Sequence, residues 1–504
     1  MPKLLAAAAC ACLFGVVGTA RADGLDSVRA RGEIVWGGDQ EGGGPYVYPD
    51  PNKPSQVTGF EVDLMNSLAK RLGVQARFRQ CEWTSLPLLL SRGDIDTIVN
   101  GYELTKPRLA SMIATVPYYV YELQLIARRD NDSIHSWDDL KTPGPAGKRR
   151  IGVMPGTAAE TYVRHTLGDA VELRNSYSGT TDALQDVTNG RLDATVQDLP
   201  AAIFYRKSYA QLHFVGQPVG RGYYVVYLRP GEERLRDALN DGVRALLKNG
   251  QLQAIYERYG LWNRTQEDLQ RTVNEAPEQL VSGGEEEPSF AAKLTLLLQA
   301  AGLTVVLSLL AMPLAIATGL TIALGRLYGP MPLRPLLTAY VEILRGTPLL
   351  FQLFVLYYTL PMMPGIHLRL PALWAAVVGL AMNYSAYESE IYRTGLLAIP
   401  VGQMEAALSL GMSRATALWR IIIPQAVRLV VPPVTNDFIA LFKDTSLCST
   451  ITLVELTKEY YILTNSYRGY GQIALVTAAL YLLMSYPLSL LARRLERRSP
   501  KVVM

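Results

Sequence analysis

The sequence predicts a two-lobed α/β domain followed by an all-α domain of about five membrane-length helices. Three observations carry this. Strand and helix signals alternate from about residue 30 to Leu261, one local pattern occurs twice inside that stretch, and Leu, Ala, Val and Ile dominate from about Phe290 onward. At 504 residues the chain is too long for one ordinary domain, and the change of composition divides it.

The beginning reads as an export signal. Lys3 is basic, Leu4 to Gly18 is apolar, and Ala20-Arg21-Ala22 is a small-x-small cleavage site, so residues 1–22 form the signal and 23–264 lie outside the cytoplasm. Glu33 to Gly37 reads as a strand, and Phe60, Leu64, Met65, Leu68 and Leu72 have helical spacing that stops at Gly73. The expected sheet is mostly parallel.

The repeated pattern is Gly93-Asp94-Ile95-Asp96-Thr97-Ile98-Val99-Asn100 and Gly190-Arg191-Leu192-Asp193-Ala194-Thr195-Val196-Gln197. In each, a helix ends at glycine and a short apolar strand follows. Two similar lobes result, lobe 1 at about 30–125 and 220–262, lobe 2 at about 126–219. Ligands of open α/β sheets sit beyond the carboxyl ends of strands, so residues after these two strands are expected to face one cleft. They are Asn100, Gly101, Tyr102, Glu103, Thr105 and Arg108, then Gln197 and Asp198. An arginine fork suits a carboxylate and an aspartate accepts from an ammonium, which together fit the head of an α-amino acid. Thr157 and Glu160 form a T-x-x-E capping pattern after the strand Arg150 to Met154, and the free N–H groups there favour an anion.

Other chemistries are excluded. The net charge of +4 is small, and no basic stripe interleaved with aromatics marks a nucleic-acid surface. Cys10, Cys12, Cys81 and Cys448 form neither a disulfide framework nor a CxxC metal or redox site. His135, His165 and His213 stand singly, without a nucleophile partner.

Residues 30 to 262 resemble the periplasmic polar amino-acid-binding family, type II among such two-lobed folds. The matching stretches are Gly59-Phe60-Glu61-Val62-Asp63-Leu64, Asp94 to Arg108, Ile151-Gly152-Val153 with Gly156-Thr157, Leu192 to Asp198, and Leu246 to Gly260. The resemblance implies that Arg108 clamps the ligand carboxylate, Asp198 takes its ammonium, and Asp39, Tyr46 and Trp83 line the side-chain pocket, with Asn100, Gly101, Glu103 and Thr157 around them. Glu103 stands where small hydroxyl residues are frequent, and the loop Gly42-Gly43-Gly44 is unusual. Asp39 with Glu103 favours a basic or amide ligand side chain.

Residues 265–289 are polar and acidic, end in Gly283-Gly284-Glu285-Glu286-Glu287-Pro288, and read as a flexible linker on which the lobes dock and undock. In the domain at 290–504, spans are expected at 294–324, 336–360, 371–392, 425–445 and 471–492. Arg326 and Arg334, then Arg393, Arg414 and Arg420, then Arg493, Arg494, Arg497, Arg498 and Lys501 follow the first, third and fifth spans, so those ends are cytoplasmic. The start of this domain is then external, as the export signal requires. Glu342 and Arg345 are spaced to neutralise each other, and Glu388 with Glu390 is expected at the inner boundary.

Between the third and fourth spans lies Glu405-Ala406-Ala407-Leu408-Ser409-Leu410-Gly411, continuing to Ile421, Ile423 and Pro424. It matches the cytoplasmic E-A-A-x3-G-x9-I-x-L-P pattern of ABC-importer permeases, with Ile423 replacing Leu. Glu405, Ala406, Ala407, Gly411 and Pro424 are thereby implied to couple to a partner ATPase. Leu344 to Leu350, Pro400 to Gln403 and Phe442 to Leu447 also resemble the polar amino-acid permeases.

No phosphate loop occurs, since Gly144 to Arg149 lacks the final hydroxyl residue, so no cofactor or metal is expected on this chain and ATP is expected to be used by a partner subunit. The expected partners are that ATPase, a second permease chain forming a homodimer, a small-molecule amino acid and membrane lipid, with no nucleic acid. The expected location is the inner membrane, multi-pass, with the binding domain in the periplasm. A ligand-gated channel or a sensor is the competing class, but the lobes are uninterrupted, no carbonyl-filter motif is seen and no kinase region follows.

Overall fold

The computed structural model describes residues 24–41, 43–281, 288–363, 370–466 and 470–498. The export segment, Gly42, the Gly283 to Glu287 run and Lys501 lie outside these. The chain forms two compact units, residues 1–122 with 221–284, and residues 123–220 with 285–504.

Twelve strands build the α/β part: β1 (Glu33–Gly38), β2 (Tyr48–Asp50), β3 (Lys53–Thr58), β4 (Gln75–Gln80), β5 (Thr97–Ile98), β6 (Ile113–Ala114), β7 (Tyr119–Arg128), β8 (Arg149–Gly152), β9 (Val171–Arg174), β10 (Ala194–Asp198), β11 (Leu212–Tyr224) and β12 (Tyr227–Leu228). Lobe 1 holds a sheet of order β4-β1-β5-β12-β6 and lobe 2 one of order β11-β7-β10-β8-β9. The sheets are mixed, which corrects the expectation of mostly parallel pairing. β1 with β4 and β5, and β8 with β9 and β10, are parallel; β12 runs against β5 and β6, and β7 against β10. The reason is the chain path: β7 and β11 carry the chain between the lobes, so the returning segment enters each sheet in the reverse sense.

The helix Phe60–Leu72 forms as its spacing predicts. Phe60, Leu64, Met65 and Leu68 are buried, and Gly73 ends it in the left-handed conformation (φ 78°). Each such buried side chain contributes about 1.5–3 kcal/mol. The twice-used Gly-x-x-Asp pattern has one physical job in both lobes. Asp96 donates its N–H to Val35 O and accepts Val35 N–H at 2.9 Å; Asp193 donates to Arg150 O and accepts Arg150 N–H at 2.8 Å. Each aspartate therefore pins the start of a short central strand to its neighbour.

The expected flexible linker is, over much of its described length, part of lobe 1. Short helices at Arg264–Asp268, Leu269–Thr272 and Pro277–Leu280 are held by Gln266, which bonds both backbone groups of Val120, by Thr265 on Glu122, and by Arg244 on Val273 O. The polar composition hid this because the anchors are themselves polar side chains satisfying a strand backbone.

In the second unit, helices Phe290–Tyr328, Arg414–Ile451 and Gly471–Arg494 are long and apolar enough to cross a membrane. Leu309, Leu336, Ile343, Leu475 and Leu483 point outward and exposed, as lipid contact requires. The helix Ala372–Leu397 fills the third expected span, about 39 Å long. It is the interior helix: Gly319 of the first span sits against its Glu388 and Ser385. The expected span 336–360 is instead two helices, Leu333–Gly346 and Leu349–Thr359, bent by 108°. Pro348 disfavours helical backbone at Thr347, which is extended, and the side chain of Gln352 donates to Leu344 O and Thr347 O, satisfying the freed carbonyls.

Candidate functional site

In lobe 1 the candidate residues follow the carboxyl ends of β1, β4 and β5. Asp39 is a scaffold acid: its carboxylate accepts from Glu41 N–H, Gln80 Nε2 and Trp83 N–H, and its own N–H donates to Asn100 Oδ1. Asn100 O accepts from Trp83 Nε1 at 3.1 Å. Gly101 (φ 58°) donates to Glu61 at 2.7 Å, and a Cβ there would strike the Tyr46 ring. The Tyr46 hydroxyl bonds that of Tyr224 at 2.9 Å. Trp83 and Tyr102 pack at 4.7 Å, and the Arg108 guanidinium lies over both rings, 4.0 Å from Tyr102 and 5.2 Å from Trp83.

Arg108 is buried and already paired. Its Nη1 donates to Glu103 Oε2 at 2.6 Å and to Glu103 O at 2.8 Å. Burial alone would lower its pKa, but the Glu103 carboxylate outweighs that and holds it above the ordinary value. The residue standing where hydroxyls are frequent thus puts a carboxylate directly on the arginine. Behind Gly101, Glu61 is fully buried, its carboxyl pushed up to about 8 by burial against the Tyr118 hydroxyl and Gly101 N–H, which lower it. Spacing alone gives Glu61 no place in the site, because an acid at the start of an amphipathic helix reads as a dipole partner in solvent.

In lobe 2, β8 and β10 are adjacent and parallel, so Thr157 and Asp198 lie at the same end of the sheet. Thr157 accepts Glu160 N–H, the cap that the spacing predicts, and the Glu160 carboxylate reaches back to Gly156 N–H at 2.7 Å, one residue before the N-cap. Asp198 ends β10 and occupies the N-cap position of the helix Leu199–Tyr205. Asp39, Asn100 and Trp83 are joined by hydrogen bonds in lobe 1, with Gly101 beside Tyr46, and Thr157 and Asp198 lie at one end of the lobe 2 sheet.

The membrane domain holds a cavity of about 420 Å³ at the broken helix, lined by Arg345, Pro348, Asn383, Tyr387, Asp437 and Asp444 among others. Among the described residues Arg345 forms no ion pair with Glu342; its guanidinium lies 5.6 Å from the centre of the Tyr387 ring, across to a neighbouring helix. That corrects the expected neutralisation along one helix. Glu390 does sit with the basic flanks, bonded to Arg326 and Arg393.

The Glu405 segment forms the helix Val401–Ser409, closed by Gly411 in the left-handed conformation (φ 80°). Glu405, Ala406 and Gly411 are exposed and Ala407 is buried. Beneath them Ile399, Ile422 and Ala426, with Met404, Leu418 and Leu429, tie this helix to the helices Ala372–Leu397 and Arg414–Ile451, and Pro424 lies in the first turn of the latter's regular segment, Ile423–Asp444.

A two-lobed α/β domain joined to a helical membrane domain whose Val401–Ser409 helix carries an exposed Glu-Ala face defines a binding-protein-linked permease. Residues 36–261 match the family described as "Bacterial extracellular solute-binding proteins, family 3", and residues 298–500 match "Binding-protein-dependent transport system inner membrane component". The L-cystine transport system permease protein TcyB of Bacillus subtilis (strain 168) is 39% identical over 175 residues, 34% of this chain and 73% of that protein. The octopine transport system permease protein OccM of Rhizobium meliloti is 42% identical over 154 residues, 29% of this chain and 62% of that protein. An ancestral amino acid-binding protein, AncCDT-1, overlies 47% of this chain and 98% of its own at 28% identity and a TM-score of 0.42. The chain belongs to the inner-membrane permease family of binding-protein-dependent transporters and carries its solute-binding domain in the same polypeptide. It is a binding and permease subunit of a binding-protein-dependent transport system.

Proposed function

We propose that this chain captures a polar L-amino acid outside the cytoplasmic membrane and passes it inward, while a separate ATPase chain hydrolyses ATP. The observation that carries this reading is the helix Val401–Ser409: its Glu405, Ala406 and Gly411 face is bare, and its opposite side is anchored on two membrane helices. A partner that pulls on the bare face moves both spans. Arg108 and the N–H groups at the Thr157 helix start are assigned to the ligand carboxylate, with Asn100, Gly101 and Trp83 shaping the wall, and Asp198 to the ammonium. Because Glu103 cancels the charge of Arg108 and Asp39 is held by neutral donors, a basic or amide ligand side chain is favoured over an acidic one.

The passage runs by the 420 Å³ cavity, where Arg345 and Asp437 present charges of both signs to a zwitterion. Tyr357 and Lys458, which touch the exported lobe 2, lie at the helix ends opposite the Arg326 and Arg393 flanks, and this supports the multi-pass topology read from charge. A second copy of the chain completes the pore. The test is uptake of a panel of labelled L-amino acids into proteoliposomes containing the chain and its ATPase. ATP-dependent accumulation of at least one is expected, and accumulation of none would reject the reading.

A further inference from the structure

Lobe 2 falls in the same compact unit as the membrane helices, and the surface between them is a built joint. At the end of the helix Thr180–Thr188, Asp186 accepts Arg191 Nη1 at 2.9 Å through one oxygen, and through the other it accepts the hydroxyls of Tyr177 at 3.0 Å and of Tyr357 at 2.9 Å. Tyr357 belongs to the membrane domain, in the widened turn Val355–Thr359 that ends the broken span. The Arg191 guanidinium lies 3.8 Å from the centre of the Tyr357 ring, and its Nη2 donates to Tyr357 O at 2.6 Å. Arg191 and Asp186 are 9% and 2% exposed along their side chains, so the membrane-domain tyrosine is inserted into a desolvated charge pair. A second contact lies on the next external helix: Lys458 Nζ, buried, donates to Ser178 Oγ at 2.9 Å.

The joint has the chemistry of a lasting interface. Arg and Tyr buried together is the composition that dominates binding energy where it occurs, and here both terminal nitrogens of Arg191 are answered while its Nε is buried without a partner. Covalent restraint falls on the other lobe. Residues 264–280 fold onto lobe 1, so only the eight steps from Val281 to Ser289 connect lobe 1 to the first membrane helix, a reach of at most about 28 Å.

We propose that lobe 2 stays seated on the membrane domain of its own chain throughout the cycle, through Asp186 and Arg191 on Tyr357 and Ser178 on Lys458. Ligand capture and release are then motions of lobe 1, not docking and undocking of the lobe pair. This rests on the transporter reading but has a readout independent of it. Cysteines replace Ser178 and Lys458 in full-length protein whose Cys81 and Cys448 are alanine, the protein is placed in lipid nanodiscs, and a short bismaleimide is added. Bridging within one chain is expected to equal extents with and without a mixture of the common L-amino acids, and the bridged protein with its ATPase in proteoliposomes is expected to keep its uptake. A bridge that needs the amino acids, that joins two chains, or that abolishes uptake would overturn the proposal. Independently, Arg191→Ala in the full chain is expected to lower uptake by at least about tenfold while amino-acid binding to the purified chain is unchanged, with the milder Tyr357→Phe lowering it less. Unaltered uptake in Arg191→Ala would also overturn it.

Discussion

Glu103 Oε2 lies 2.6 Å from Arg108 Nη1, and both side chains are almost wholly withdrawn from water. The guanidinium assigned to a ligand carboxylate thus already carries one from its own lobe. Replacing Glu103 by Gln leaves the shape but removes the charge. The variant is expected to lose about 2–4 kcal/mol of stability without ligand, because a buried charge loses its partner. Acidic and neutral amino acids should then gain affinity relative to basic ones. Thermal shift of the full chain with an amino-acid panel reads both effects. An unchanged order of preference would show that Glu103 does not set the charge of the site.

Glu61 gives the second expectation. Its carboxyl is raised to about 8 from an ordinary 4.5, so the folded protein keeps a proton that the unfolded chain releases. Between about pH 4.5 and 8 stability therefore falls as pH rises, and above about pH 8 this group adds no further slope. Glu61→Gln, which cannot ionise, should remove that slope and raise stability at pH 7.5 by up to about 4 kcal/mol. Unfolding followed at pH 5 and pH 8 in parent and variant decides it. Equal slopes would place the proton elsewhere.

What sequence could reveal here was local. The helix Phe60–Leu72 and its stop at Gly73 are written in spacing, and the paired Asp96 and Asp193 turns announce themselves by repetition. The Thr157 to Glu160 cap is contained in four consecutive positions. Features made by distant polar groups were hidden. Gln266 looks like linker until it meets the Val120 backbone, 146 positions away, and Arg191 looks like a solvated turn until it meets Tyr357, 166 positions away. The broken span had a visible cause in Pro348, but an apolar window averages across a proline without registering that backbone geometry changes there.

The coupling helix yields a paired test. Gly411 has φ 80° and Gly402 is helical, and a Cβ at either meets nothing within 4 Å. Crowding is therefore absent from both, and only Gly411→Ala strains the backbone, by about 1–2 kcal/mol. Gly411→Ala should cut amino-acid uptake and ATPase association while ligand binding stays intact. Gly402→Ala should leave the turn undisturbed and serve as its control. Equal behaviour of the two variants would mean that the left-handed turn is not what presents Glu405 and Ala406 to the partner.

The membrane cavity gives the last test, because its charges are arranged asymmetrically. Asp444 is engaged by the Tyr384 hydroxyl at 2.7 Å, whereas Arg345 reaches over Tyr387 and has no carboxylate within ion-pair distance among the described residues. A zwitterion in this space would place its carboxylate toward Arg345 and its ammonium toward Asp437. Arg345→Gln removes the cation and keeps hydrogen-bonding capacity, so uptake should fall by about tenfold or more, the worth of one charge-assisted contact. Binding to the lobes should be unaffected, because the residues lining this cavity with Arg345 all belong to the membrane domain. Asp437→Asn should act more strongly on amino acids with a basic side chain than on neutral ones, since they carry an extra cation past the same carboxylate. If both variants transport every amino acid at parental rates, the solute passes elsewhere.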